Sequence, residues 1–91
     1  MGARLLVDGL PSIFTDQQLK ELFLRYGTVL SAEVMRYPNG ESLGFGYVGM
    51  ATSDAANTAI RQLNRSWLDG QVLVVKMEKK DTPGPTWGVQ T

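Results

Sequence analysis

The chain predicts an α+β fold in which four antiparallel strands form one sheet and two helices cover one of its faces. Three observations lead there. Two segments repeat apolar residues at spacings of three and four, four others are short, apolar or alternating, and turn formers separate them in the order β-α-β-β-α-β. A sheet of this kind packs one face on the helices and leaves the other to water.

Leu5-Leu6-Val7 opens the chain as a strand, ended by the turn formers Asp8-Gly9 and by Pro11. Thr15 reads as an N-cap, with Gln18 three residues on as its reciprocal partner. Leu19, Leu22 and Phe23 follow at helical spacing, and Gly27 stands where helices stop, so the first helix is expected over Asp16 to Tyr26. Val29 to Arg36 reads as the second strand and Tyr37 to Ser42 as a connection rich in turn formers. Leu43 to Ala51 is the third strand. Ser53 is expected to cap a second helix carrying Ala56, Ala59, Ile60 and Leu63 on one face. Asn64 to Gly70 reads as a loop and Val72 to Met77 as the last strand. Residues 1–80 therefore form the domain, a ferredoxin-like β-α-β-β-α-β sandwich, and residues 81–91 read as a flexible C-terminal tail with Pro83, Pro85 and Trp87.

Composition narrows the function. A chain of 91 residues corresponds to one small domain, and 43% hydrophobic residues suffices for a core. The absence of Cys and His excludes zinc fingers, iron–sulfur sites and thiol chemistry, so no metal and no cofactor is expected. Nine Lys and Arg balance nine Asp and Glu, which argues against a strong nonspecific grip on phosphates. No apolar run approaches the roughly 20 residues that span a bilayer. The chain reads as soluble and intracellular, with nucleus and cytoplasm both open.

The most telling stretch is Leu43-Gly44-Phe45-Gly46-Tyr47-Val48-Gly49-Met50. Side chains alternate along a strand, so Phe45 and Tyr47 point to one face and Val48 and Met50 to the other. The same alternation sends Leu5, Val7, Val29, Ala32, Val34, Leu73 and Val75 inward. The open face is then predicted to carry Leu6, Met35, Phe45, Tyr47 and Val74, flanked by Arg4 and Lys76. Paired aromatics on an open sheet are a stacking platform for single-stranded nucleic acid. The opposite parity, with the rings in the core, turns Val48 and Met50 outward and buries Arg4 and Asp8.

These residues resemble the RNA-recognition motif family, whose longer signature is K/R-G-F/Y-G/A-F-V-x-F/Y. Gly44, Phe45, Gly46 and Val48 match it, and Tyr47 keeps an aromatic. Leu5-Leu6-Val7-Asp8-Gly9-Leu10 is similar to the shorter signature of the family. The resemblance covers Arg4 to Lys79. Met50 and Trp67 are similar to residues of small single-domain bacterial members. It implies single-stranded RNA as partner, with Tyr47 stacking a base and Phe45 packing on ribose. Leu6 replaces the second stacking aromatic, and Leu43 replaces a basic residue. Since one stack is worth about 1–3 kcal/mol, binding is expected to be weak, about micromolar or poorer. Arg4, Lys76, Lys79 and Lys80 are the expected cationic contacts.

Two other readings compete with this one. The apolar face of Leu6, Met35, Phe45 and Val74 could hold a partner protein instead of RNA. Relatives that bind tryptophan-bearing peptides carry Arg-x-Phe before the last strand, where this chain has Ser66-Trp67-Leu68. Trp67 is expected to cap the edge of the core, with a partner anchor as its other reading. An enzyme is not expected: there is no imidazole base or thiolate, and Asp8 to Ser12 holds a single glycine where related hydrolases carry a phosphate loop.

Overall fold

Strict alternation of buried and exposed residues makes β1 (Ala3–Asp8) the centre of the molecule, with Ala3, Leu5 and Val7 inward and Arg4 and Asp8 outward. The computed structural model describes residues 2–80, apart from the side chains of Lys79 and Lys80. The expected tail, residues 81–91 with Trp87, lies outside the described residues.

After β1 come α1 (Asp16–Leu24), β2 (Val29–Arg36), β3 (Ser42–Met50), α2 (Ser53–Leu63), the two-residue strands β4 (Trp67–Leu68) and β5 (Gln71–Val72), and β6 (Val74–Lys80). The main sheet has the order β2-β3-β1-β6, with all neighbours antiparallel. α1 packs on β2 and α2 on β6, both on the same face. Leu19 and Phe23 of α1 and Ala56, Ala59 and Leu63 of α2 meet Leu5, Val7, Val34, Val48, Met50 and Val75 there. This is the α+β sandwich the sequence predicts.

Boundaries differ in instructive places. α1 begins as expected, with Thr15 and Gln18 closing a complete capping box. It ends two residues early, because the N–H groups of Tyr26 and Gly27 turn back to Phe23 and Leu24 in a tighter turn, and Gly27 sits at φ 150°. α2 is capped by Thr52, not Ser53: the Thr52 hydroxyl accepts from the Ala55 N–H at 3.1 Å. The expected loop 64–70 contains half of a small hairpin. β4 and β5 pair through Trp67 with Val72 and Leu68 with Gln71, and Asp69 and Gly70 both have positive φ. That is the Asp-Gly two-residue turn that strand twist favours. Val72 therefore belongs to this hairpin, and the last strand runs from Val74 on.

Trp67 does not cap the core. It is 72% exposed on β4 beside its exposed partner Val72, while the next residue, Leu68, is the one that packs against the core.

The two outer strands are each held by a side chain. The Val34 N–H on β2 donates to Asp16 Oδ1 at 2.8 Å, and the Val75 N–H on β6 donates to Asn64 Oδ1 at 3.0 Å. Asp16 and Asn64 thus fasten the ends of the helices to the sheet edges. Arg36 adds a third tie, its guanidinium donating to the Phe14 carbonyl at 3.0 Å.

Candidate nucleic-acid interface

Glycine lets β3 bring its aromatics forward without pushing the helices away. A Cβ on Gly46 stands 3.1 Å from Leu19 Cδ2 of α1 and 2.4 Å from the Glu33 carbonyl oxygen, so α1 packs where a side chain has no room. Gly44 adopts φ +83°, and its carbonyl accepts from the Leu10 N–H at 2.9 Å, joining the two signature segments.

Phe45 and Tyr47 lie half-buried on the helix-free face, whereas Val48 and Met50 of the same strand are fully buried beneath the helices. Their centroids are 6.0 Å apart and the rings meet edge to face at 87°. The register sets their neighbours in rows across the sheet. Glu33, Tyr47, Leu6 and Lys76 form one row, and Phe45, Asp8 and Val74 the next. Leu6 and Met35 are half-buried, Val74 is 41% exposed and Lys76 is exposed. All the non-basic residues predicted for the open face are thus there, with Arg4 and Lys76 beside them. Lys79 and Lys80 continue β6, Lys79 opposite Arg4, and their side chains lie outside the described residues.

Arg4 is not simply a flanking cation. Its guanidinium carbon lies 4.1 Å from the Tyr47 ring centroid, covering one face of a ring that the sequence alone leaves bare. Strand alternation cannot reveal this contact. It needs the register, which sets Arg4 opposite Gly49 and so diagonal to Tyr47, within reach of a long side chain. Arg4 Nε also lies 3.9 Å from Glu78 Oε1, with the side chains 52% and 38% exposed, a contact worth little in water.

The electrostatics of the face are mixed. Asp8 and Glu33 stand in the same rows as the aromatics, and the Asp8 carboxylate accepts from the Gly9 N–H at 2.8 Å. Among the described residues no cluster of His, Cys, Asp or Glu is arranged to hold a metal ion, and no helix is long and apolar enough to cross a membrane. Exposed apolar and aromatic groups with a few cations suit a flat, weakly charged ligand better than a dense array of phosphates.

Residues 5–74 match the family described as the RNA recognition motif. The chain is 36% identical over 77 residues to Multiple RNA-binding domain-containing protein 1 of Candida albicans, covering 85% of this chain and 9% of that protein. It is 38% identical over 79 residues to Polyadenylate-binding protein 2 of Arabidopsis thaliana, covering 87% of this chain and 13% of that one. These relatives are thus far longer than the chain. Among solved structures it resembles RNA Binding Protein PG1, with a TM-score of 0.82 and 31% identity over 88% of this chain and 98% of that one. With both signature segments on adjacent strands and the aromatics on the helix-free face, the chain belongs to the RNA recognition motif family.

Proposed function

We propose that this domain binds single-stranded RNA on its open sheet face, weakly and through a few nucleotides, and that it acts by binding and not by catalysis. The observation that carries the reading is the placement of Phe45 and Tyr47 on the helix-free face beside Leu6. The relatives named for RNA and polyadenylate binding support it.

In this reading a base stacks on Tyr47 after the Arg4 guanidinium swings aside, freed at little cost because its contact with Glu78 is long and solvated. Phe45, edge-on to Tyr47, packs against the sugar. Leu6 offers an apolar contact where a ring is more usual, and Met35 and Val74 extend the surface on either side. Arg4, Lys76, Lys79 and Lys80 meet phosphates. Asp8 and Glu33 oppose them, which together with the missing second ring keeps affinity about micromolar or poorer.

An NMR titration with pools of short single-stranded RNA tests this. Shifts concentrated at Leu6, Phe45, Tyr47 and Lys76 are the expected result. Unchanged spectra at saturating RNA would overturn the reading and turn attention to a protein partner on the same apolar face.

A further inference from the structure

Beyond Tyr47 the open face does not continue flat: β3 places Gly49 where the next outward side chain belongs. Gly49 lies between Ser31 of β2 and Arg4 of β1 in the register. With no side chain at that point the sheet carries a cavity of about 310 Å³, lined among others by Arg4, Leu30, Ser31 and Gly49. That volume lies at the lower end of pockets that hold small molecules, roughly 300–1,000 Å³.

We infer that this notch is a subsite for one nucleobase of an RNA strand running over the platform, a proposal that rests on the open face binding RNA. Five features favour a base there. The notch adjoins Tyr47 on the same face of the same strand, two residues or about 7 Å along, a distance one nucleotide of an unstacked strand bridges. Leu30 stands 68% exposed as an apolar wall, set outward by the irregular register between Val29 and Ser31. The Ser31 hydroxyl supplies a donor and an acceptor at the floor, where an added Cβ on Gly49 stands 2.7 Å from it. Arg4 forms the boundary with the platform, so a guanidinium leaving Tyr47 stays beside the base that enters. Among the described residues no carboxylate lines the cavity.

The test compares the wild type with Gly49→Val and Leu30→Ala, titrated by NMR with a mixed-sequence pool of single-stranded RNA pentamers. Tyr47→Ala serves as the control for the platform. Gly49 has no left-handed backbone and its nearest neighbour is a rotatable hydroxyl, so valine fills the notch without forcing the strand. The expected result is about tenfold weaker binding for Gly49→Val, the worth of one base contact, with shifts retained at Leu6 and Tyr47 and lost at Leu30 and Ser31. Leu30→Ala weakens binding in the same direction, and the wild-type complex shows NOEs from base protons to the Leu30 methyls. If Gly49→Val does not fold, Leu30→Ala and these NOEs decide. Unaltered affinity in the folded variants without such NOEs sinks the notch while leaving the platform standing, provided Tyr47→Ala still abolishes binding. Absence of any binding by the wild type takes both away.

Discussion

The guanidinium of Arg4 and the ring of Tyr47 form a stacked pair, 4.1 Å from carbon to centroid, joining the first and third strands across the open face. The free protein thus shields part of its own proposed contact surface with a cation that is also one of its expected phosphate ligands. An exposed stack of this kind is worth about 0.5–1 kcal/mol, less than the gain from stacking a base. A base stacking on Tyr47, as proposed, would therefore win the exchange.

Arg4→Leu is expected to change folding stability by less than about 1 kcal/mol, since both its contacts are solvent-exposed. Its effect belongs to binding. Isothermal titration with RNA across a range of salt concentrations should give a shallower dependence of log K on log salt, by about 0.7 for one lost phosphate contact. An unchanged slope would mean that the guanidinium stays on Tyr47 in the complex.

Tyr47→Ala removes the stacking ring and should weaken RNA binding by about 1–3 kcal/mol, which takes a weak interaction beyond detection. The domain should stay folded, with a thermal midpoint close to that of the wild type, because Val48 and Met50 carry the buried face of β3. A collapse of the midpoint in a calorimetric scan would assign the ring to the core instead.

Leu6→Phe is a gain-of-function test. Leu6 lies directly opposite Tyr47 and Lys76, so a phenyl ring there completes a second stacking position in the same row. Affinity for short single-stranded RNA should rise about tenfold in a fluorescence anisotropy titration. No gain would show that missing aromatic area does not limit the proposed affinity.

Gly46→Ala probes the close approach of α1. A Cβ there meets a backbone carbonyl that cannot rotate away, so overpacking should cost about 1–3 kcal/mol. For a domain this small, each kcal/mol lowers the midpoint by about 4–8 °C. RNA-induced shifts at Tyr47 should persist below the transition, separating a packing fault from a binding fault.

The face of each strand is legible because a slip of one residue would turn every side chain of that strand to the wrong side. Val48 and Met50 against Phe45 and Tyr47 fixed the third strand, and Leu5 and Val7 against Arg4 fixed the first. The cap of α2 was misread by one residue because Thr52 and Ser53 are both good caps and only geometry chooses between them. The β4–β5 hairpin was missed although Leu68-Asp69-Gly70-Gln71 holds its turn signal, since strands of two residues leave no alternation to read. Trp67 is expected to cap the edge of the core, but in a strand of two residues it is Leu68 that turns to the core and Trp67 that faces water. Two parts of the site depend on register and so escaped the sequence: the Arg4–Tyr47 stack and the Gly49 notch. The notch did leave a trace, a glycine at an outward position two residues past the key aromatic.

Asp16 and Asn64 have a consequence beyond fastening helices. Each takes a main-chain hydrogen that an unguarded border strand offers to the next polypeptide, so neither margin of the sheet presents an uninterrupted ladder for another chain to zip onto. Copies brought close together would then meet through side chains instead of merging into shared sheets.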